Sequence, residues 1–172
     1  MSEESPIYNF EPKTKLEEGL RYFIGVKQIQ ARPMTFGDYN IFRGWGIPEN
    51  EDPARPGYLV VYPDGYQSWS PQETFESAYL PMTGDGSRIT LDMVEGFIDV
   101  AYTERMGNHL VAYFNTRAGF SIVETGACVD AKNFDVDIGV GIARKKAMDH
   151  LWAHLGFVLA WARNGIEPKP VD

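Results

Sequence analysis

The chain has 172 residues, 44% of them hydrophobic and 13% aromatic, which suits one domain or a domain with a small companion module. A formal net charge of −8 disfavours non-specific binding to duplex phosphate. One cysteine, Cys128, excludes an intramolecular disulfide and a Cys-rich metal centre.

Residues 1–20 are polar, with Pro6, Pro12 and mixed charge, and are expected to form a tail. The start, Met1-Ser2-Glu3-Glu4, is acidic, unlike a signal peptide, and no apolar run reaches the roughly 20 residues that span a bilayer. The expected compartment is the cytoplasm. Residues 21–80 read as a small N-terminal α+β module. Val26–Ala31 alternates like a strand. Thr35 is placed to cap a helix through Phe42, which Arg43-Gly44-Trp45-Gly46 ends. Gly57–Tyr62 and Tyr66–Trp69 are predicted strands about a Pro63-Asp64-Gly65 turn. Ser70-Pro71-Gln72-Glu73 has the form of a capping box for a helix over Pro71–Tyr79. The aromatics Trp45, Tyr58, Tyr62, Tyr66 and Trp69 suit either a small core or a stacking surface.

Residues 81–87, with Gly84, Asp85 and Gly86, are the expected linker. The second unit is assigned to residues 88–165, followed by a tail over 166–172. Thr90 is expected to cap a helix to about Tyr102, carrying Leu91, Val94, Phe97, Ile98 and Ala101. His109–Arg117 and Phe120–Thr125 form a predicted hairpin, and Gly126–Lys132 a loop. Asn133 or Asp135 then caps a long helix ending at Asn164-Gly165. Ile138, Ile142, Ala147, Leu151, Leu155 and Val158 are its expected buried stripe. The predicted fold class is α+β: a small antiparallel sheet packed against helices, with the N-terminal module alongside.

The sequence lacks the phosphate-binding glycine loops and Gly-x-Ser-x-Gly. Cys128, beside Ala127 and Val129, reads as a small buried residue in preference to a thiol nucleophile. His150 and His154 share a helix face at metal-binding spacing, yet the accompanying carboxylate motif is missing, so no metal site and no cofactor are assigned. Three binding candidates remain. Asn115 and Arg117 end a strand, where Arg117 suits a phosphate clamp or a surface pair. Asn133 opens the long helix, whose free N–H groups suit an anion, although Asp135 competes for them. Arg144 of Arg144-Lys145-Lys146 is flanked by Ala143 on the more apolar side and is expected to point inward.

The segments Ala118-Gly119-Phe120, Ala127-Cys128-Val129-Asp130, Asn133–Gly139, Ile142-Ala143-Arg144, Leu151-Trp152 and Leu155-Gly156-Phe157 resemble a phage accessory family of otherwise unknown function. That family is connected with the first type of Thoeris anti-defence proteins. The resemblance implies a non-enzymatic sponge that sequesters a nucleotide immune signal, a cyclic ADP-ribose isomer or a cyclic oligonucleotide of the CBASS pathway, as a homo-oligomer. It also implies a site built from arginines one helical turn apart and an aromatic on the preceding hairpin. Arg144 matches the second arginine and Tyr113 the aromatic, whereas Val140 stands where the first arginine is expected and Ala118 replaces an asparagine. The expected ligand-binding residues are therefore Arg144, Tyr113, Asn115, Arg117 and Asn133. The module over residues 21–80 resembles a leading module of phage proteins that is joined to different C-terminal domains, which implies docking or assembly. The alternative function is a protein–protein inhibitor or adaptor.

Overall fold

A computed structural model describes residues 24–167; the expected tail over residues 1–20 lies outside them, as does most of the C-terminal one. The chain divides into two compact units, with a boundary between Arg88 and Ile89. The chain from Val158 on groups with the N-terminal unit.

The N-terminal unit is built on a three-stranded antiparallel sheet in the order β1-β2-β3, with β1 at Gln30–Pro33, β2 at Gly57–Val61 and β3 at Gln67–Pro71. The first strand was expected at Val26–Ala31. It pairs only from Gln30, which faces Val61, because Gln28 turns its bonds elsewhere: its N–H donates to the Ala162 carbonyl at 3.2 Å and its Nε2 to the Gly86 carbonyl at 2.6 Å. Helix α1, Phe36–Arg43, starts where Thr35 Oγ1 accepts from the Asp38 N–H at 3.1 Å. It stops at Gly44, whose φ of 69° is the left-handed conformation glycine adopts without cost. Helix α2, Gln72–Ala78, has no capping box. Ser70 and Pro71 still pair with Tyr58 and Gly57 in the sheet, so the helix begins one residue later and the Ser70 hydroxyl donates to the Pro71 carbonyl instead. Trp69 packs edge-on against Phe36 at 5.2 Å and donates its indole N–H to the Met34 carbonyl at 2.8 Å. Tyr58 stacks on Phe75 at 4.2 Å. These two rings are therefore packing elements, while Trp45 and Tyr66 remain exposed.

In the second unit, the expected helix from Thr90 to Tyr102 is a single short turn, α3, at Leu91–Glu95. Thr90 makes no side-chain cap, and its hydroxyl is buried without a partner. Gly96 closes the turn, and the β-branched and aromatic run that follows enters a nine-residue strand, β4, at Ile98–Met106. Apolar spacing near 3.6 in Leu91–Ala101 was thus overridden by pairing of β4 with β5, His109–Thr116. Strand β6, Ser121–Ala127, completes an antiparallel meander in the order β4-β5-β6. A bulge between Val100 and Tyr102 resets the β4 register.

Helix α4 runs from Val136 to Asn164 and ends at Gly165, φ 70°. Its buried residues are Ala143, Ala147, Leu151 and Leu155, one stripe at i, i+4 spacing. Ile138, Ile142 and Val158, assigned to that stripe from sequence, are exposed; at 3.6 residues per turn Ile138 and Ile142 fall off the packing face, whereas Val158 stays in line with the stripe but beyond Leu155, its last buried residue. Across from the stripe, Leu110, Ala112, Phe114 and Thr116 are buried on one face of β5, with Ile98 and Ile122 beside them. The small residues on α4 let helix and sheet approach closely: a Cβ on Gly126 of β6 would lie 2.9 Å from the Gly139 carbonyl oxygen, and one on Gly139 would lie 3.2 Å from the Leu110 side chain. Lys146 spans from α4 to β6, donating to the Thr125 carbonyl at 2.7 Å.

Candidate functional site

The start of α4 is capped by Asp135, whose Oδ1 accepts from the Ile138 N–H at 3.1 Å. Its carboxylate thus takes a place where an external anion would bind. Asn133 ends a one-turn 3-10 helix, Ala131–Asn133, which is itself capped by Asp130 through the Lys132 N–H at 2.9 Å. Asn133 lines a cleft of about 100 Å³ with Gly126, Cys128, Phe134, Ile138 and Ile142. Cys128 donates its thiol hydrogen to the Asp130 carbonyl at 3.0 Å. The Arg105 guanidinium lies 4.0 Å above the Phe134 ring, a cation–π contact. Small-molecule sites usually enclose roughly 300–1,000 Å³, so this cleft accommodates a side chain or a small ion and not a whole nucleotide.

Tyr113 and Asn115 alternate with the buried residues of β5 and so lie on the sheet face turned away from α4. Tyr113 faces Tyr102 across the β4–β5 pair, ring centroids 5.6 Å apart. The Glu104 carboxylate beside Tyr102 pushes its hydroxyl pKa above the ordinary value. Asn115 Oδ1 accepts from the Ser121 hydroxyl at 3.1 Å. Arg117 sits in the β5–β6 turn, its backbone N–H held by the Phe97 carbonyl at 3.0 Å and its side chain exposed.

Arg144 lies beside the fully buried Ala143 and is half-buried. Its guanidinium makes no hydrogen bond or ion pair among the described residues, whereas Arg55 pairs with Glu51 at 3.0 Å. Val140, one turn earlier, is also half-buried. Within one chain the five expected residues therefore occupy four places: Tyr113 and Asn115 on the outer sheet face, Arg117 at the turn, Asn133 in the cleft and Arg144 on α4.

Two groups of polar residues escaped sequence reading. Tyr102 and Glu104 were assigned to a helix or passed over, and only the alternation within Ile98–Met106 marks them as a strand face. Glu124 of β6 accepts from His150 Nε2 at 2.8 Å, and His154 stacks beside His150 with its ring edge-on to Phe120. Sequence spacing shows the histidine pair but not the carboxylate opposite. Among the described residues no group of three or more His, Cys, Asp or Glu is placed to hold a metal ion, and no helix is long and apolar enough to cross a membrane.

Residues 89–162 match the model of the phage protein (N4 Gp49/phage Sf6 gene 66) family. The matched stretch takes in α3, the whole β4-β5-β6 sheet and nearly all of α4, including Arg144, Tyr113, Asn115, Arg117 and Asn133. Similarity over this segment supports a phage protein. No curated protein and no solved structure matches the chain.

Proposed function

We propose that this chain is a phage anti-defence protein that holds an anionic nucleotide signal, a cyclic ADP-ribose isomer or a cyclic oligonucleotide, without cleaving it. The observation that carries this reading is Arg144: a half-buried guanidinium on the long helix α4, within the family-matched stretch, with no carboxylate paired to it among the described residues. A guanidinium left in a partly desolvated position has much to gain from a phosphate, which it binds through paired N–H donors. Lys145 on the next position adds positive charge to the same stretch. The exposed Tyr102–Tyr113 pair offers faces on which a base can stack.

The test is to incubate the protein with a mixture of cyclic nucleotides, wash it, denature it by heat and identify the released species by mass spectrometry. Recovery of an unaltered nucleotide is expected, together with a raised melting temperature, since a ligand that binds only the folded state stabilises it. Arg144→Ala is expected to lose the release and the shift. A chemically altered product would replace sequestration with catalysis, and the absence of any shift across the panel would sink the proposal.

A second reading, that of a protein-binding adaptor, is favoured by Ile41, Phe42, Trp45 and Ile47. These four large apolar residues are exposed along the end of α1 and the loop after it. A stoichiometric complex with a host protein that survives removal of all nucleotide would favour it.

A further inference from the structure

The face of the β4-β5-β6 sheet turned away from α4 carries charge and aromatic surface that the fold does not use. Strand pairing sets Asp99 beside Asn115, Tyr102 beside Tyr113 and Glu104 beside Val111, so three rows of outward side chains cross β4 and β5. The tyrosine row continues to Val123 on β6. Tyr102 is 53% exposed and Tyr113 37%, and their rings are tilted by 40°, so neither fully covers the other's face. Val123 is exposed beside them. Asp99 and Glu104 are exposed too, and neither forms an ion pair among the described residues. Glu104 stands near enough to the Tyr102 hydroxyl to raise its pKa. The three strands hold a single lysine or arginine, Arg105, which is in register with the buried Leu110 and keeps its guanidinium over the Phe134 ring.

Open ring faces between two carboxylates suit cations. The quadrupole of an aromatic ring is negative over its face, and a carboxylate without a partner gains from an opposite charge. The chain's net charge of −8 adds to that preference. The phosphates of a stacked nucleotide would lie near Asp99 and Glu104, so this face favours a cation over an anion; the nucleotide reading is carried by Arg144 on α4, and nothing here rests on it. Spacing narrows the partner. The Tyr102–Tyr113 row lies two positions of β5 from each carboxylate row, about 7 Å either way. An extended segment presents its alternate side chains at that same interval. The apolar stems of lysine or arginine side chains can lie on Val123 and on the rings while their charged heads reach the carboxylates. We infer that this outer sheet face docks an extended basic segment of another protein, with cationic side chains at alternate positions over Asp99, the Tyr102–Tyr113 pair and Glu104. It is a different surface from the apolar residues at the end of α1, which belong to the N-terminal unit.

The experiment titrates the full isotope-labelled chain with the peptide acetyl-Arg-Ser-Arg-Ser-Arg-amide at physiological salt and follows the backbone amide resonances by NMR. Shifts are expected to centre on Tyr102, Tyr113 and Asn115. Glu104→Gln and Tyr113→Ala are each expected to weaken binding about threefold or more. Asp149→Asn removes the same charge from an exposed position on α4 and is expected to leave binding unchanged. Glu104 is exposed and glutamine keeps its shape, so the circular dichroism of Glu104→Gln should match the wild type and its loss of binding cannot come from misfolding. Citrulline in place of the arginines keeps their shape without their charge and is expected to abolish the shifts. Shifts centred elsewhere would overturn the inference, as would a citrulline peptide that binds equally or a Glu104→Gln variant that binds like the wild type. A single-stranded oligonucleotide that perturbs this face more strongly than the peptide would also overturn it, in favour of a nucleic-acid surface. Equal binding of spermidine would do so in favour of free polyamines.

Discussion

Asp85 shows how one side chain can be tuned by its own loop. Its Oδ1 accepts from the Ser87 hydroxyl at 2.6 Å and from the Ser87 N–H at 3.0 Å. Bonds to the ionised form hold its carboxyl below the ordinary aspartate range. A pKa depressed in the folded state gives stability above the ordinary carboxylate value, and that contribution is lost as pH falls through the depressed one. Ser87→Ala removes the larger of the two bonds, so the Asp85 titration midpoint should rise toward the ordinary value. A carboxyl-resolved NMR titration that finds the midpoint unmoved would dismiss this account. The capping role of Asp135 was legible at the same scale, since an aspartate one residue before a helix carries it in its immediate neighbours, and the half-buried place of Arg144 follows from the alanine beside it. Tyr102 was not legible, because its role depends on Tyr113, eleven positions on and across a strand pair.

At the scale of elements, local chemistry marks ends better than it marks types. Thr35, Gly44, the Asp64-Gly65 turn and Gly165 all act where residue type alone placed them. β4 was misread, because Leu91, Val94, Phe97, Ile98 and Ala101 satisfy helical spacing while Ile98–Met106 also satisfies a strand. The decision belongs to β5, whose edge that strand fills, and pairing between segments leaves no trace in a local window. The seat of α4 on its sheet was equally hidden, since nothing in the sequence pairs Gly126 with Gly139. Gly126→Ala should lower unfolding stability by about 1–3 kcal/mol through forced separation of helix and strand. Leu151, almost fully buried, should cost about 2–5 kcal/mol when cut to alanine. Urea unfolding monitored by circular dichroism measures both. Equal midpoints for wild type and Gly126→Ala would mean that the helix is not held at this approach.

The whole molecule is governed by its charge and by two small open sheets. With a net charge of −8 it should not bind a DNA duplex at physiological salt. Fluorescence anisotropy showing saturable binding of a labelled duplex would contradict that. Among the described residues each three-stranded sheet ends in two strands with one unpaired side: β1, β3, β4 and β6. Every one of these sides carries a feature that resists fibril-like stacking. β1 and β3 end in Pro33 and Pro71, which have no N–H to offer. The outward carbonyl of Gln67 on β3 is taken by Tyr39 and Arg43, and β4 is kinked by its bulge. On β6 the outward Thr125 carbonyl is occupied by Lys146, so a lysine that resembles part of a ligand-binding basic run is also a guard against misassembly. Replacing it would open a strand to strange neighbours, and the first symptom would be loss of solubility on storage, with the folded chain's thermal midpoint little changed.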